Sequence, residues 1–178
     1  MLTQEESGEL AAPIEDLKAY LRIVTAQEDE VLATLLRSAA GLCEAFTGQW
    51  LIARGARETV ASSGAWRRLS ARPVVAIEQV EAIGTDGAAE TLPVDAYAID
   101  IDAAGDGWVR STRPGEVRVL AVQYRAGMAG DASGLPEALR QGVIRLAAEH
   151  FIARGTESAA PPAVVSALWR PYRRMRLA

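Results

Sequence analysis

Three stretches of the sequence show the 3.6-residue hydrophobic period of amphipathic helices. The clearest is opened by a capping-box pattern of Thr25 and Glu28, runs to about Thr47 and closes at Gly48. Its apolar positions are Val31, Leu32, Leu35, Leu36, Ala39, Leu42, Cys43 and Phe46. This spacing predicts one helix with a buried face.

Two further helices are predicted, one before this helix and one much later. Pro13 suits the opening of a short helix over residues 14–22. In the later helix, Pro136 suits the first position and Gly155 the position just past the end. Its face at helical spacing consists of Leu139, Val143, Leu146, Ala147 and His150, and the apolar surface is widened by Ile144, Ala148, Phe151 and Ile152. Because this face is wider than one contact requires, we expect the helix to lie against several partners.

Between Gly48 and Gly134 the helical period disappears, and eleven of the fifteen glycines fall in this stretch. Short apolar or alternating runs there predict strands. The candidate strands are residues 56–61, 66–70, 74–83, 97–101, 108–111 and 117–124. Helices followed by a block of strands and a final helix predict an α+β fold with segregated layers.

We therefore expect a helical bundle formed by the N- and C-terminal helices, with an inserted small antiparallel β domain and a C-terminal arm. The first residues are expected to be loose. The expected division is 1–48 for the N-terminal helices of the bundle, 49–134 for the β-rich insertion, 135–155 for the long bundle helix and 156–178 for the arm.

Composition indicates a globular protein made and kept in a cytoplasm. Of its 178 residues, 49% are hydrophobic and 24% charged, and no stretch is long and apolar enough to cross a bilayer. The acidic start lacks the basic and apolar runs of a secretory signal. The single Cys43 excludes an internal disulfide and a multi-thiolate zinc site.

The charge is unevenly distributed along the chain. The net charge of −4 argues against wholesale binding of duplex DNA, which requires a basic face. Residues 1–30 nevertheless carry eight acidic side chains, whereas no acidic residue follows Glu157. This asymmetry suits head-to-tail association of like subunits, although acidic residues kept for solubility would give the same pattern.

Catalytic and metal-binding patterns are largely missing. The only histidine, His150, lies on an apolar helix face without a second ligand nearby, which favours a structural role. The cluster Asp100, Asp102, Gly105 and Asp106 resembles a calcium loop but lacks two of its ligands, so it indicates a polar turn. We therefore expect a binding or structural protein, not an enzyme, with no cofactor and no metal.

The C-terminal tail carries the strongest functional signal because arginines and aromatic residues anchor interfaces. Its candidate contact residues are Trp169, Arg170, Tyr172, Arg173, Arg174, Met175 and Arg176. Three interpretations remain open at this point. The tail docks on another protein, folds back on the bundle as a C-terminal helix, or binds nucleic acid through arginines on phosphates and aromatic rings on bases.

Five segments, in collinear order, resemble the head-tail connector proteins of tailed phages, also called head completion or portal adaptor proteins. They are PIEDLKAYLRIVTAQEDEVLATLLRSAAGLCEAFTGQWL, LSARPVVAIEQVEAIGTDG, VQYRAGMAG, LPEALRQGVIRLAAEHFIARG and VSALWRPYRRMRL. Ser70 and Ala71 depart from the family's pattern, which has Leu-Pro before Arg72 and Pro73. The adaptors of phage-like gene transfer agents are similar, and the sequence does not separate the two settings.

The resemblance implies a ring, commonly of twelve subunits, in the neck of the particle. The ring would lie between the portal protein and a stopper or tail-completion protein, with DNA passing through its centre without specific binding. It would contact no membrane. The alternative function is a DNA-associated packaging or regulatory protein that binds nucleic acid through its basic tail.

The resemblance also implies that the C-terminal arm is inserted against the portal. Pro161, Pro162 and Pro171 limit helix continuation, so we expect the arm to leave the bundle in an extended or kinked path. Its aromatic residues would then supply buried area and its arginines would pair with portal carboxylates. Deletion of residues 169–178 is accordingly expected to leave a folded protein that no longer joins the capsid.

Overall fold

The chain forms two compact units in a computed structural model that describes residues 1–113, 115, 118–153 and 161–174. One unit consists of Met1–Ser7 and Ala53–Gly127, and the other of Gly8–Ile52 and Met128–Ala178. The β unit and the helical unit, as we name them, are thus each built from two separate parts of the chain. The first seven residues group with the strands and not with the N-terminal helices.

Four α-helices lie in the described part of the helical unit. They are α1 (Ile14–Leu21), α2 (Asp29–Thr47), α3 (Glu137–Ala153) and α4 (Ala163–Trp169), with short 3-10 turns at Ala132–Gly134 and Arg170–Tyr172. The α3 helix contacts the three other helices. Its apolar face is buried as expected, including Leu139, Val143 and Ala147. Ile152, which the sequence places on that face, is instead 72% exposed.

The predicted α2 helix is confirmed, but its opening differs from the expected capping box. The helix begins at Asp29, and Glu28 is itself the N-cap residue, with no side-chain capping hydrogen bond. Thr25 therefore lies too far ahead of the helix to cap it. The predicted end is confirmed, since Gly48 adopts the left-handed conformation (φ 70°) and its amide bonds to the carbonyl of Glu44.

The later helix also begins near its expected position. Pro136 directly precedes α3, and its carbonyl accepts the amides of Leu139 (3.0 Å) and Arg140 (3.2 Å). Gly155, the expected stop, lies outside the described residues. The core of the helical unit also includes Leu17, Leu32, Leu36 and Cys43, from α1 and α2.

The β unit contains two antiparallel sheets in its described residues. Its strands are β1 (Leu2–Gln4), β2 (Arg54–Ala61), β3 (Arg67–Arg68), β4 (Val74–Ile83), β5 (Ala89–Thr91), β6 (Tyr97–Ile101), β7 (Gly107–Ser111) and β8 (Val119–Ala126). The five-stranded sheet has the order β1-β2-β8-β4-β5, and the three-stranded sheet has the order β3-β7-β6. The central strand β8 is apolar and mostly buried over its first half, and Tyr124 and Ala126 are buried in its second half.

The α+β class, with helices towards both ends of the chain and strands between them, is confirmed. The β4 and β6 strands have the predicted bounds. The expectation of a loose start is wrong, because residues 2–4 form β1, which pairs with Glu58, Arg57 and Ala56 of β2. All three β1 residues are exposed, so no hydrophobic alternation reveals this strand in the sequence.

None of the described helices is long and apolar enough to span a membrane.

A buried hydrogen-bond network ties β2 to β8 and to the segment before β4. The carboxylate of Glu58 accepts the Tyr124 hydroxyl (2.8 Å), the Ser70 amide (2.8 Å) and the Ser70 hydroxyl (2.5 Å). The Tyr124 oxygen in turn accepts the Ala71 amide at 3.1 Å. Burial, with a smaller contribution from the Glu58 charge, raises the pKa of Tyr124 far above its ordinary value. The phenol therefore remains a donor.

We predict that Tyr124→Phe destabilises the β unit by about 1–3 kcal/mol, because the Ala71 amide and the buried Glu58 carboxylate each lose a partner. Urea unfolding measures the loss. Tyr97→Phe is the matched control, since Tyr97 is only half-buried on β6, and it should change stability by less than about 0.5 kcal/mol. Equal stabilities for the two variants would contradict a structural role for the network.

Candidate functional site

The candidate site is the C-terminal segment, residues 163–174, which contains most of the contact residues expected from the sequence. Pro162 is extended (φ −52°, ψ 152°) and directly precedes α4. Its carbonyl accepts the Ser166 amide at 2.9 Å, so the helix begins where proline removes no needed donor. Pro171 then lies in the 3-10 turn that follows α4. Pro161, Pro162 and Pro171 thus limit α4 to two turns, but they do not lead the segment away from the helical unit.

Trp169, the last residue of α4, is completely buried in the core of the helical unit. Its ring centroid lies 5.9 Å from that of Phe46, with the rings tilted by 56°. The ring also lies directly against α3 at Gly142. A Cβ atom added at Gly142 would be only 2.1 Å from the indole nitrogen. The missing side chain of Gly142 therefore provides the space that Trp169 occupies.

Two hydrogen bonds, one from a side chain and one between backbone groups, hold the residues after Trp169 against the end of α2. The side-chain amide of Gln49 donates to the Tyr172 carbonyl at 2.7 Å. The Arg174 amide donates to the Thr47 carbonyl at 2.9 Å. Thr47 and Gln49 are both buried, so these bonds form largely away from solvent. The segment is thus fixed at three successive points, Trp169, Tyr172 and Arg174.

Two of the segment's arginines are exposed to solvent, whereas its aromatic residues are buried or half-buried. Arg170 and Arg173 are exposed, and Arg174 is half-buried. The guanidinium of Arg173 lies over the Phe46 ring, 5.5 Å from its centroid, in a cation–π contact. Tyr172 packs against the core and is half-buried. Met175 and Arg176 lie outside the described residues.

The expectation that the arm leaves the bundle in an extended or kinked path is therefore wrong for residues 163–174, which fold back on the helical unit. The physical reason is that Trp169 packs against Phe46 and occupies the space beside Gly142, both within its own chain. Sequence reasoning missed Gly142, although a glycine inside a well-formed helix costs about 1 kcal/mol relative to alanine and often marks a close approach. The fold-back interpretation left open from the sequence describes this segment.

The other candidate residues occupy structural positions. His150 is half-buried on α3. Asp102 forms the expected polar turn, with one carboxylate oxygen accepting the amides of Ala104 and Asp106 (both 2.9 Å) and the other accepting the Trp108 indole N–H (3.1 Å). Cys43 is buried in the helical core, and this burial strongly raises the pKa of its thiol. No cluster of metal-ligating side chains occurs among the described residues.

The fold is similar along its whole length to chains from gene transfer agent (GTA) particles. A chain in the neck of an empty GTA particle, computed with C6 symmetry, is 24% identical with a TM-score of 0.81. A chain of the virion of a native GTA particle is 25% identical with a TM-score of 0.80. A chain in the neck of a native particle, computed with C12 symmetry, is 24% identical with a TM-score of 0.74. Each alignment covers 100% of this chain and 97% of the other.

No protein-family model matches the sequence, and no curated protein matches it. The chain therefore shares its fold with neck chains of GTA particles at a low level of sequence identity.

We predict that Gly142→Ala destabilises the helical unit, because the added methyl group displaces the Trp169 ring. The cost of overpacking, about 1–3 kcal/mol, exceeds the gain of up to about 1 kcal/mol in helix propensity. Gly41→Ala is the matched control, since nothing lies within 4 Å of its added Cβ on α2, and it should be neutral or stabilising. Urea unfolding compares the two variants. An equally stabilising effect at both sites would show that Trp169 does not depend on the gap.

Proposed function

We propose that this protein is a structural component of the neck of a gene transfer agent or related tailed-phage particle. The observation that carries the proposal is the full-length likeness to neck chains, at a TM-score of 0.81 and with coverage of 100% and 97% of the two chains. A likeness that includes both units and nearly all of the compared chain supports a shared role more strongly than a likeness limited to one small module would. The role requires no catalysis.

In more detail, we propose an adaptor ring between the portal protein and the next component of the neck or tail. The order of the five connector-like segments supports this position. The C6 and C12 symmetries used for the similar neck chains accord with a ring of like subunits, which we expect to number twelve. Heterologous contacts between copies close into a ring when the rotation between neighbours permits it.

We further propose that the C-terminal segment docks on the portal. Arg170 and Arg173 are exposed and would pair with portal carboxylates, with Arg174, Met175 and Arg176 adding to the contact. Trp169 and Tyr172 would act by positioning these cations, because both are held within the helical unit. A segment that is ordered before binding loses less conformational entropy on docking than a loose arm does. Deletion of residues 169–178 would remove Trp169 from the core. Loss of capsid joining by that variant would therefore not distinguish a lost portal contact from a folding defect.

Passage of DNA through the ring is compatible with the charge of the chain. A subunit with a net charge of −4 repels the phosphate backbone weakly and would let a genome slide through. The alternative, a DNA-associated protein acting through its basic tail, is favoured by the exposure of Arg170 and Arg173. Even with Arg174 and Arg176 added, however, the tail offers few phosphate contacts compared with those of DNA-binding proteins.

We predict that the double variant Arg170→Glu and Arg173→Glu weakens capture by an immobilised portal ring by at least about tenfold. Each exposed ion pair contributes only about 0.2–1 kcal/mol, but the loss recurs at every subunit of the ring. Capture of the full-length chain measures the effect, with circular dichroism as a check of folding. Arg37→Glu with Arg145→Glu is the matched control, because both arginines are exposed on other helices of the same unit. Undiminished capture of the folded double variant would exclude these arginines from the portal contact.

We predict no binding of duplex DNA by the wild-type chain at physiological salt, since a few phosphate contacts give only a weak affinity at that ionic strength. A salt titration of fluorescent duplex DNA measures this. Tight binding that is lost in the Arg170→Glu and Arg173→Glu variant would favour the DNA-associated alternative.

A further inference from the structure

The three-stranded sheet of the β unit has two open edges of different chemistry. Its order is β3-β7-β6, so β3 and β6 are its edge strands. Among the described residues no strand pairs with the outer side of either edge. Soluble proteins normally keep such edges short, charged or covered, because unpaired N–H and C=O groups invite pairing with another chain.

The hydrogen-bond pattern shows which backbone groups face outwards. On β6, the bonds from Thr112 to the Ala96 carbonyl (3.0 Å) and from Asp102 to the Asp106 carbonyl (3.0 Å) define the pairs that face β7. Because these pairs alternate, the backbone groups of Tyr97, Ile99 and Ile101 are directed to the open edge. On β3, the bond from Leu69 to the Gly107 carbonyl (2.8 Å) likewise leaves the backbone groups of Arg68 on the outer side.

The β6 edge combines apolar and acidic side chains. Ile99 and Ile101 are 43% and 39% exposed, which is high for isoleucines on the same side of the sheet as the buried Val109. Asp100 lies between them, is exposed and makes no ion pair with any described residue. This edge therefore offers open backbone groups, apolar area and an unpaired negative charge.

The β3 edge carries the opposite charge. Arg67 and Arg68 are both exposed, and Arg67 has no ion pair among the described residues, whereas Arg68 has only a long one to Asp106 (3.8 Å). Trp66, next to them and 43% exposed, lies under the guanidinium of Arg110, 4.9 Å from its ring centroid. This edge thus offers cations and an aromatic surface where the other edge offers a carboxylate and isoleucines.

We infer that the β3 edge of one copy of this chain pairs with the β6 edge of the next copy, so that the small sheets continue from subunit to subunit. The charges are complementary, and each copy retains the opposite open edge for a further neighbour. Both edge strands run antiparallel to β7 and hence parallel to each other, so a copy in similar orientation adds its β3 as a parallel strand. This contact is heterologous and builds a ring when it closes.

The inference rests on the proposed ring and names the surface by which the ring is built. With only two residues in β3, the contact is small, so it acts by repetition around a closed ring. It uses residues of the β unit alone, which leaves the arginines at positions 170 and 173 for the portal. The two assignments can therefore fail independently.

Charge exchange between the edges tests the pairing. Asp100→Arg places arginine at both positions 67 and 100, and Arg67→Asp places aspartate at both, so sedimentation velocity of either full-length variant alone should show assembly weakened by at least about tenfold. A one-to-one mixture should regain assembly, because arginine at one position then meets aspartate at the other in an alternating ring with an even number of copies. The variant carrying both changes should also assemble. The matched control is Arg125→Asp with Glu78→Arg, two exposed positions on the five-stranded sheet, and it should assemble normally.

A second variant tests the backbone contact without a change of charge. Ile99→Pro removes an N–H that faces outwards, so pairing with β7 is retained while the open edge loses a donor. It should weaken assembly to a similar degree with unchanged circular dichroism, whereas Ile99→Val should not. Three results would each overturn the inference: a wild-type chain that stays monomeric at its highest soluble concentration, failure of the mixture to assemble, or normal assembly of the Asp100→Arg and Ile99→Pro variants. Normal capture by the portal alongside any of them would leave the proposed function standing.

Discussion

The organisation of the helical unit depends on the contact between Trp169 and the backbone of α3 at Gly142. An indole ring is the largest apolar side chain, and a position without a Cβ atom is where it approaches a helix most closely. This contact connects α4 to both long helices, since the indole ring also lies beside Phe46 of α2. The position of the exposed arginines, and hence the proposed contact with the portal, follows from it.

The sequence predicts most of the regular structure because the buried residues follow clear periods. Leu32, Leu36, Ala39 and Cys43 all face the core of the helical unit, as their helical spacing indicates. The strand predicted at residues 74–83 is likewise found with those bounds. Where residues pack on one face, the periodicity is sufficient evidence for the element.

The remaining features arise from contacts that leave no local pattern. The β1 strand is three exposed residues held by backbone pairing and cannot show alternation. The position of the C-terminal segment is hard to predict for a different reason. Aromatic residues are typical both of protein interfaces and of protein cores, so their presence does not separate the two. Whether Trp169 packs within its own chain or on a partner depends on the distant Gly142, which composition and spacing do not connect to it. The edge pairing proposed for Asp100 and Arg67 is likewise not visible in the sequence, because only the sheet order shows that both residues lie on edge strands.

The division of both units between distant parts of the chain has a consequence for biosynthesis. The ribosome releases β1 before its partner strand β2 exists, and the helical core lacks Trp169 until position 169 has been made. Closing these long loops costs chain entropy that only the completed contacts offset, so folding is expected to be concerted and late. A chain terminated early would therefore lack a folded helical unit. Any assembly that selects folded subunits would exclude such fragments without a separate quality-control factor.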